Sequence, residues 1–411
     1  MISINGKEYH TKWDRPVVGI CMDGTSFDYY EAAGDKAPNI QRFIREGSFG
    51  LVNSVIPSFT NPNNMAIVTG VGADRNGICG NYYYDRALDE EVMMNDPKYL
   101  EAQTILSVFS KLPKKVAVVT AKDKLRQMLN TGLEGICFSA EMANEVSVKE
   151  NGIDNVTEQL MGKPNPGIYD PEISVYCIEA GARLLKREPF DLMYLTTTDF
   201  VQHKYAPDEP EAIDFIARID YWIGELDKLG AIIGITADHG MNNKVNEQGS
   251  PKVQFIESIL NENGITSRVI LPITDPYVVH HGALGSYGTI YLEQADLEKA
   301  MAVLKPLEGI EHVLTNQEAI DRFGLPGERI GELVVLSDKD TVIGRTKEWH
   351  DLEKVKNGLR SHGGLHESVV PMIFNKKLPP FWSERLQSGE ERNFHLFDFL
   401  INGMSQRHIN Q

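Results

Sequence analysis

Residues 231–240 read AIIGITADHG, a short apolar run that ends in Asp238, His239 and a glycine. Its length and its turn residue predict a buried strand followed by a tight turn. The same pattern recurs on either side. Residues 17–22, VVGICM, deliver Asp23, and residues 116–121, VAVVTA, deliver Lys122. Residues 191–198, DLMYLTTT, deliver Asp199, and residues 52–59, VNSVIPSF, run into Thr60. Helical patterns at 39–46, 124–129, 173–186 and 210–228 separate these runs. Strands alternating with helices predict an α/β fold, a mostly parallel sheet with helices on both faces. In such sheets ligands bind outside the carboxyl ends of the strands, so these polar residues converge on one crevice. A single Asp after a strand commonly caps the next helix. Capping alone accounts poorly for a set drawn from Asp, His, Thr and Lys.

Between Gln254 and Trp349 the texture changes. Strand-like runs at 268–271, 289–292 and 333–336 mix with helix-like runs at 294–303 and 316–323, set off by turns at Pro272, Gly285 and Pro326-Gly327. This predicts a small α+β cap over 254–349, inserted into a core formed by 1–253 and 350–411. The sheet resumes near Val369–Phe374, and a helix around 394–401 closes the chain. At the other end, residues 2–9 read as a hairpin turning at Asn5-Gly6.

The 411 residues are 42% apolar and 24% charged, enough for a sizeable core. The formal charge is −17, from 41 Lys and Arg against 58 Asp and Glu. That argues against nucleic acid or an anionic membrane as a partner. It also requires that any anionic substrate be drawn in by local positive charge. The N-terminal MISINGKEYHTKWDRP has no apolar signal region, and Cys21, Cys79, Cys137 and Cys177 are scattered without a CxxC pair. A reduced, cytoplasmic protein is the expectation.

Asp238-His239 can place a carboxylate and an imidazole on one cation, although a surface turn reads the same way. Asp199 and His203 stand four apart, on one face of a helical turn, as do a helix cap and an exposed histidine. Ser361-His362-Gly363-Gly364 adds a third imidazole. Mixed nitrogen and oxygen donors of this kind favour Zn, Mn or Fe over Mg or Ca. Thr60 stands near the N-terminal end of a predicted helix, which favours negative charge.

Seven motifs in order carry a family resemblance: Met22-Asp23-Gly24, Pro38-Asn39-Ile40, Pro57-Ser58-Phe59-Thr60, Asn76-Gly77-Ile78 with Gly80-Asn81, Asp199 with His203, Ala237-Asp238-His239-Gly240-Met241, and Ser361-His362-Gly363. Together they resemble the nucleotide pyrophosphatase/phosphodiesterase branch of the alkaline phosphatase superfamily. The resemblance implies an alkaline phosphatase-like core holding two divalent metal ions, zinc above all, with Mn or Fe as alternatives. Asp23, Thr60, Asp238 and His239 would hold one, and Asp199, His203 and His362 the other. Thr60 would be the nucleophile, passing through a phosphothreonine, and Asn81 would donate to a phosphoryl oxygen. His366 is a rival to His362, which is preferred because a glycine follows it directly.

The chain departs from that pattern at Asn64-Met65, where a histidine is usual, and at Gln202, where a glycine is. The extra cap and residues 120–126, TAKDKLR, resemble instead the phosphonoacetate hydrolases, superfamily members that cleave a carbon–phosphorus bond. There two lysines bind the substrate carboxylate, which maps onto Lys122 and Lys124. The expected activity is hydrolysis of phosphonoacetate to acetate and phosphate. The alternatives are a phosphodiesterase or nucleotide pyrophosphatase with the same core, and a metal-stabilised binding protein. The expected partner is a small anionic phosphonate or phosphate ester, and a homodimer is left open. His280-His281 reads as a pair that stabilises the cap.

Overall fold

The apolar runs become strands because each sends alternate side chains into two different buried layers. Val17, Cys21, Leu192 and Tyr194 enter one core, and Val18, Ile20, Met193 and Leu195 enter the other. The computed structural model describes residues 1–145, 153, 155–275, 281–356 and 358–404. Its central sheet has seven strands, in the order Ser48–Asn53, Val369–Phe374, Ile232–Thr236, Val17–Cys21, Leu192–Thr196, Val116–Thr120 and Ile136–Ser139. Six run parallel and Val369–Phe374 runs against them. That reversal brings the start of Val369–Phe374 to the edge where the other strands end.

Helices Pro38–Glu46, Glu172–Arg187 and Pro210–Lys228 cover one face of the sheet through Ile40, Phe43, Ile173, Ile178, Phe215 and Ile219. The other face is covered by Thr60–Thr69, by Ile105–Ser110 and by the C-terminal turns around Leu396–Ile401. Met65, Ile67 and Val68 lie in that second core, and the helix that carries them is buried on nearly every side. Such a helix is held by its surroundings and has little freedom to shift.

Between 253 and 344 lies a second, antiparallel sheet ordered Ser267–Ile270, Tyr287–Leu292, Leu333–Ser337, Ile310–Thr315. Helices Leu297–Leu304 and Asn316–Phe323 belong to the same stretch, the second opened by a capping box between Thr315 and Glu318. Arg345 fastens this region to the core side by reaching Glu91 at 2.8 Å, and holds Glu257 of its own region at 3.3 Å.

Some elements differ from the sequence reading. The strand expected within residues 52–59 ends at Asn53, and residues 54–59 form a buried loop. Pro57 has no N–H to give a sheet, and Val55 and Ile56 are buried without one. The strand Ile136–Ser139 and the hairpin of Tyr82–Asp85 with Glu90–Met93 were not foreseen. Asn5 and Gly6 turn the N-terminal hairpin with φ of 47° and 76°, as the Asn-Gly pair predicts. All four cysteines are buried and unpaired. No helix among the described residues is long and apolar enough to cross a membrane.

Candidate active site

Three parallel strands end side by side and project Asp238, Asp23 and Asp199 into one buried cluster. His362 joins them because it precedes the reversed strand. Gly24 follows Asp23 with φ of 68°, and a Cβ there would stand 2.9 Å from Asp199 Cβ. A glycine is therefore needed for the two aspartates to approach. Gly363 plays the same part beside His362: its φ is 117°, and a Cβ would fall 2.2 Å from the Phe59 ring.

The capping alternative fails for Asp199. It occupies the N-cap position of helix Phe200–Lys204, yet its side chain accepts no capping hydrogen bond. Its carboxylate turns instead to the imidazoles, with Oδ2 at 3.0 Å from His203 Nε2, 3.6 Å from His362 Nε2 and 3.9 Å from His239 Nε2. Asp23 Oδ1 faces His239 Nε2 at 3.3 Å, and neither of these two buried atoms has a hydrogen-bond partner.

Each imidazole is oriented in the same way. The Nδ1 of His203 lies 2.7 Å from the Arg360 carbonyl, that of His239 2.9 Å from the Gly240 carbonyl, and that of His362 2.8 Å from the Ser58 carbonyl. A carbonyl accepts, so Nδ1 carries a proton, which leaves each Nε2 as the ring atom facing the cluster. The rings of His239 and His362 stack at 3.5 Å. This donor set suits a divalent cation. Two groups have ligand atoms close enough to share one, namely Asp199, His203 and His362, and Asp23, Asp199 and His239.

Burial and like charges pull these groups in opposite directions. Burial holds His362 well below its ordinary pKa, helped by His239 and His203, which keeps it neutral. Burial would lower His239 too, but Asp238, Asp23 and Asp199 outweigh it and push the group up to about 9. Asp238 is raised well above the carboxylate range by burial and by neighbouring Asp23. Asp199 goes the other way: burial opposes its charge, but Lys122, His203 and His362 stabilise it and hold its pKa well below that range. Three carboxylates this close demand positive charge.

Asp238 is tied differently. Its Oδ1 accepts from the Gly24 and His239 amides at 3.1 and 3.0 Å, and its Oδ2 accepts from Asn64 Nδ2 at 3.2 Å. Asn64 in turn accepts from Tyr194 and Thr196, so it bridges the buried strand to Asp238. The sequence reading treated Asn64 only as a missing histidine. Gln202, the other departure, donates to Thr25 Oγ1 at 2.8 Å.

Thr60 is the first residue of its helix and is 5% exposed. It lines a narrow cavity with Asn61, Asn81, Met93, Asn95, Lys122, Lys124, Leu125 and Asp275. Asn81 accepts from the Asn61 amide at 3.0 Å and donates to the Ile273 carbonyl at 3.3 Å. The two lysines differ sharply. Lys122 is buried, with Nζ 3.3 Å from Asp23 Oδ2 and 3.2 Å from Asp199 Oδ1. Lys124, two residues on, is exposed at the cavity rim.

Asp275 was missed, because a lone Asp in a loop carries no sequence signal. His281 Nε2 stands 3.5 Å from its Oδ1, and the His281 ring is 5.5 Å from that of His203. His280 lies outside the described residues. His366 is away from the cluster, exposed and paired with Glu311 at 2.9 Å.

Residues 17–365 match the family described as Type I phosphodiesterase / nucleotide pyrophosphatase. The chain belongs to this family. Among solved structures, phosphonoacetate hydrolase from Sinorhizobium meliloti 1021, in complex with phosphonoacetate, is 45% identical with a TM-score of 0.91, over 98% of both chains. The same enzyme with phosphonoformate is 46% identical, again with a TM-score of 0.91 over 98% of both chains. Murine ectonucleotide pyrophosphatase / phosphodiesterase 5 shares the fold at 18% identity and a TM-score of 0.63, over 96% of this chain and 97% of its own. The protein is a hydrolase of the alkaline phosphatase superfamily.

Proposed function

We propose that the protein hydrolyses phosphonoacetate to acetate and phosphate, with Thr60 as nucleophile. The carrying observation is the likeness to phosphonoacetate hydrolase over nearly the whole chain, with Thr60, Lys122 and Lys124 lining one cavity. In this reading Asp23, Thr60, Asp238 and His239 hold one divalent ion, zinc by expectation, and Asp199, His203 and His362 hold another. When bound, the ions would supply Lewis acidity toward the Thr60 hydroxyl and would offset phosphoryl charge. Residues 254–349 act as a cap whose Asp275 closes the cavity over a core of 1–253 and 350–411. Four buried, unpaired thiols support a reduced, cytoplasmic setting.

The Thr60 oxygen attacks phosphorus from the helix N-terminus and gives up its proton, forming a phosphothreonine. The carbon–phosphorus bond breaks on the opposite side, and its electron pair passes to carbon and into the carboxylate as an enolate. Lys122 and Lys124 stabilise that charge, which is larger in the transition state than in the ground state. The carbon takes a proton from solvent and leaves as acetate. Water then attacks phosphorus from the vacated side and releases phosphate. Asn81 donates its amide to a phosphoryl oxygen. Stoichiometric acetate and phosphate from phosphonoacetate test the proposal. Efficient cleavage of phosphodiesters with phosphonoacetate left intact would replace it by the phosphodiesterase reading.

A further inference from the structure

Lys122 does more than face the cavity. Its ammonium sits between Asp23 Oδ2 and Asp199 Oδ1, at 3.3 and 3.2 Å; Asp23 belongs to one of the two ligand groups and Asp199 to both. It is 5% exposed and its backbone is fixed at the N-cap position of the helix that follows strand Val116–Thr120, so it has little room to withdraw. Arg126 is occupied by Asp123, and Lys124 is exposed at the rim. Of these three cations following the strand, Lys122 is the one in contact with the ligand carboxylates.

We infer that Lys122 is a positioning residue that sets the metal affinity of the site, lowering it by holding a fixed positive charge against two ligand carboxylates. A cation beside a carboxylate stabilises its charged form without a metal, and it also repels an incoming divalent ion. The ammonium thereby already contacts the two carboxylates that a metal ion would bind. The same charge faces the substrate cavity, so the residue that favours an anionic substrate also weakens the hold on the ions. This deepens the metal-site reading and rests on it.

The test is zinc affinity, measured at pH 8 by competition with a chromophoric chelator. Lys122→Met should bind zinc about tenfold more tightly than wild type, the scale on which one adjacent charge shifts a carboxylate. Lys122→Arg should keep the wild-type affinity, and Lys124→Met should leave it unchanged. If Lys122→Met does not fold, Lys122→Gln should show the same tightening. A purely structural role predicts weaker zinc binding in both neutral variants, because the ligands would lose their order. Zinc affinity unchanged or weaker in a folded neutral variant overturns the inference while leaving the metal-site reading intact. A wild-type protein that binds no zinc overturns both, before any variant is compared.

Discussion

The carboxyl edge of the seven-stranded sheet and the loops that wall the cavity above it contribute to the site in different ways. At the edge, Asp23, Asp199 and Asp238 stand on adjoining strands, and each imidazole is locked by a backbone carbonyl. The wall is assembled from Asn61 and Lys124 in the first turns of two helices, Met93 at the end of a hairpin strand, and Asn81, Asn95 and Asp275 in connecting segments. A sheet fixes side chains through its ladder, whereas loops fix them only through local hydrogen bonds. The edge therefore suits a conserved chemical step, and the wall suits discrimination between substrates. Thr60 and Lys122 belong to both.

The largest effects should follow from damage to the edge. Thr60→Ala should cost at least roughly 1000-fold in kcat on every substrate, with Thr60→Ser retaining part of the activity. Near-normal turnover by the alanine variant would remove Thr60 from the mechanism. Exhaustive chelation should likewise abolish hydrolysis and zinc should restore it. Full activity in demetallated protein would break the edge half of the comparison.

Damage to the wall should be selective. Lys124→Ala should slow phosphonoacetate hydrolysis by very roughly 30- to 1000-fold, the loss of about 2–4 kcal/mol of transition-state stabilisation. Cleavage of p-nitrophenyl phosphate esters should change little, because nitrophenolate leaves without help. A parallel loss on both substrates would mean that edge and wall are not separable.

Smaller still should be the contrast in stability. Gly363→Ala forces a Cβ against Phe59 at a positive φ, and should cost roughly 2–4 kcal/mol in denaturant unfolding. His366→Ala, on an exposed residue, should stay within about 0.5 kcal/mol and leave activity intact, whereas His362→Ala should impair activity severely. If the two histidine variants exchanged behaviour, His366 would be the third ligand.

The same division governs what could be read from the sequence. Apolar runs ending in Asp or Lys revealed four strands of the sheet, because burial on both faces leaves a continuous hydrophobic signature, whereas the run ending in Thr60 is loop from residue 54 on. The strand Leu192–Thr196 and the helix Asn316–Phe323 lie where their patterns put them. Asp275 and the hairpin carrying Met93 left no such trace, because a loop residue is selected by what it faces and not by its neighbours in sequence. Asn64 was legible only as an absence, although its amide ties Asp238 to the strand carrying Tyr194.

The central claim is that edge and wall together cleave a carbon–phosphorus bond next to a carboxylate. It is tested most directly by incubating the zinc-loaded protein with phosphonoacetate and quantifying acetate and phosphate together. Equal amounts of both, formed in many turnovers and lost with Thr60→Ala, are the expected result. Phosphonoacetate recovered intact by a preparation that readily cleaves p-nitrophenyl phosphate esters would contradict it.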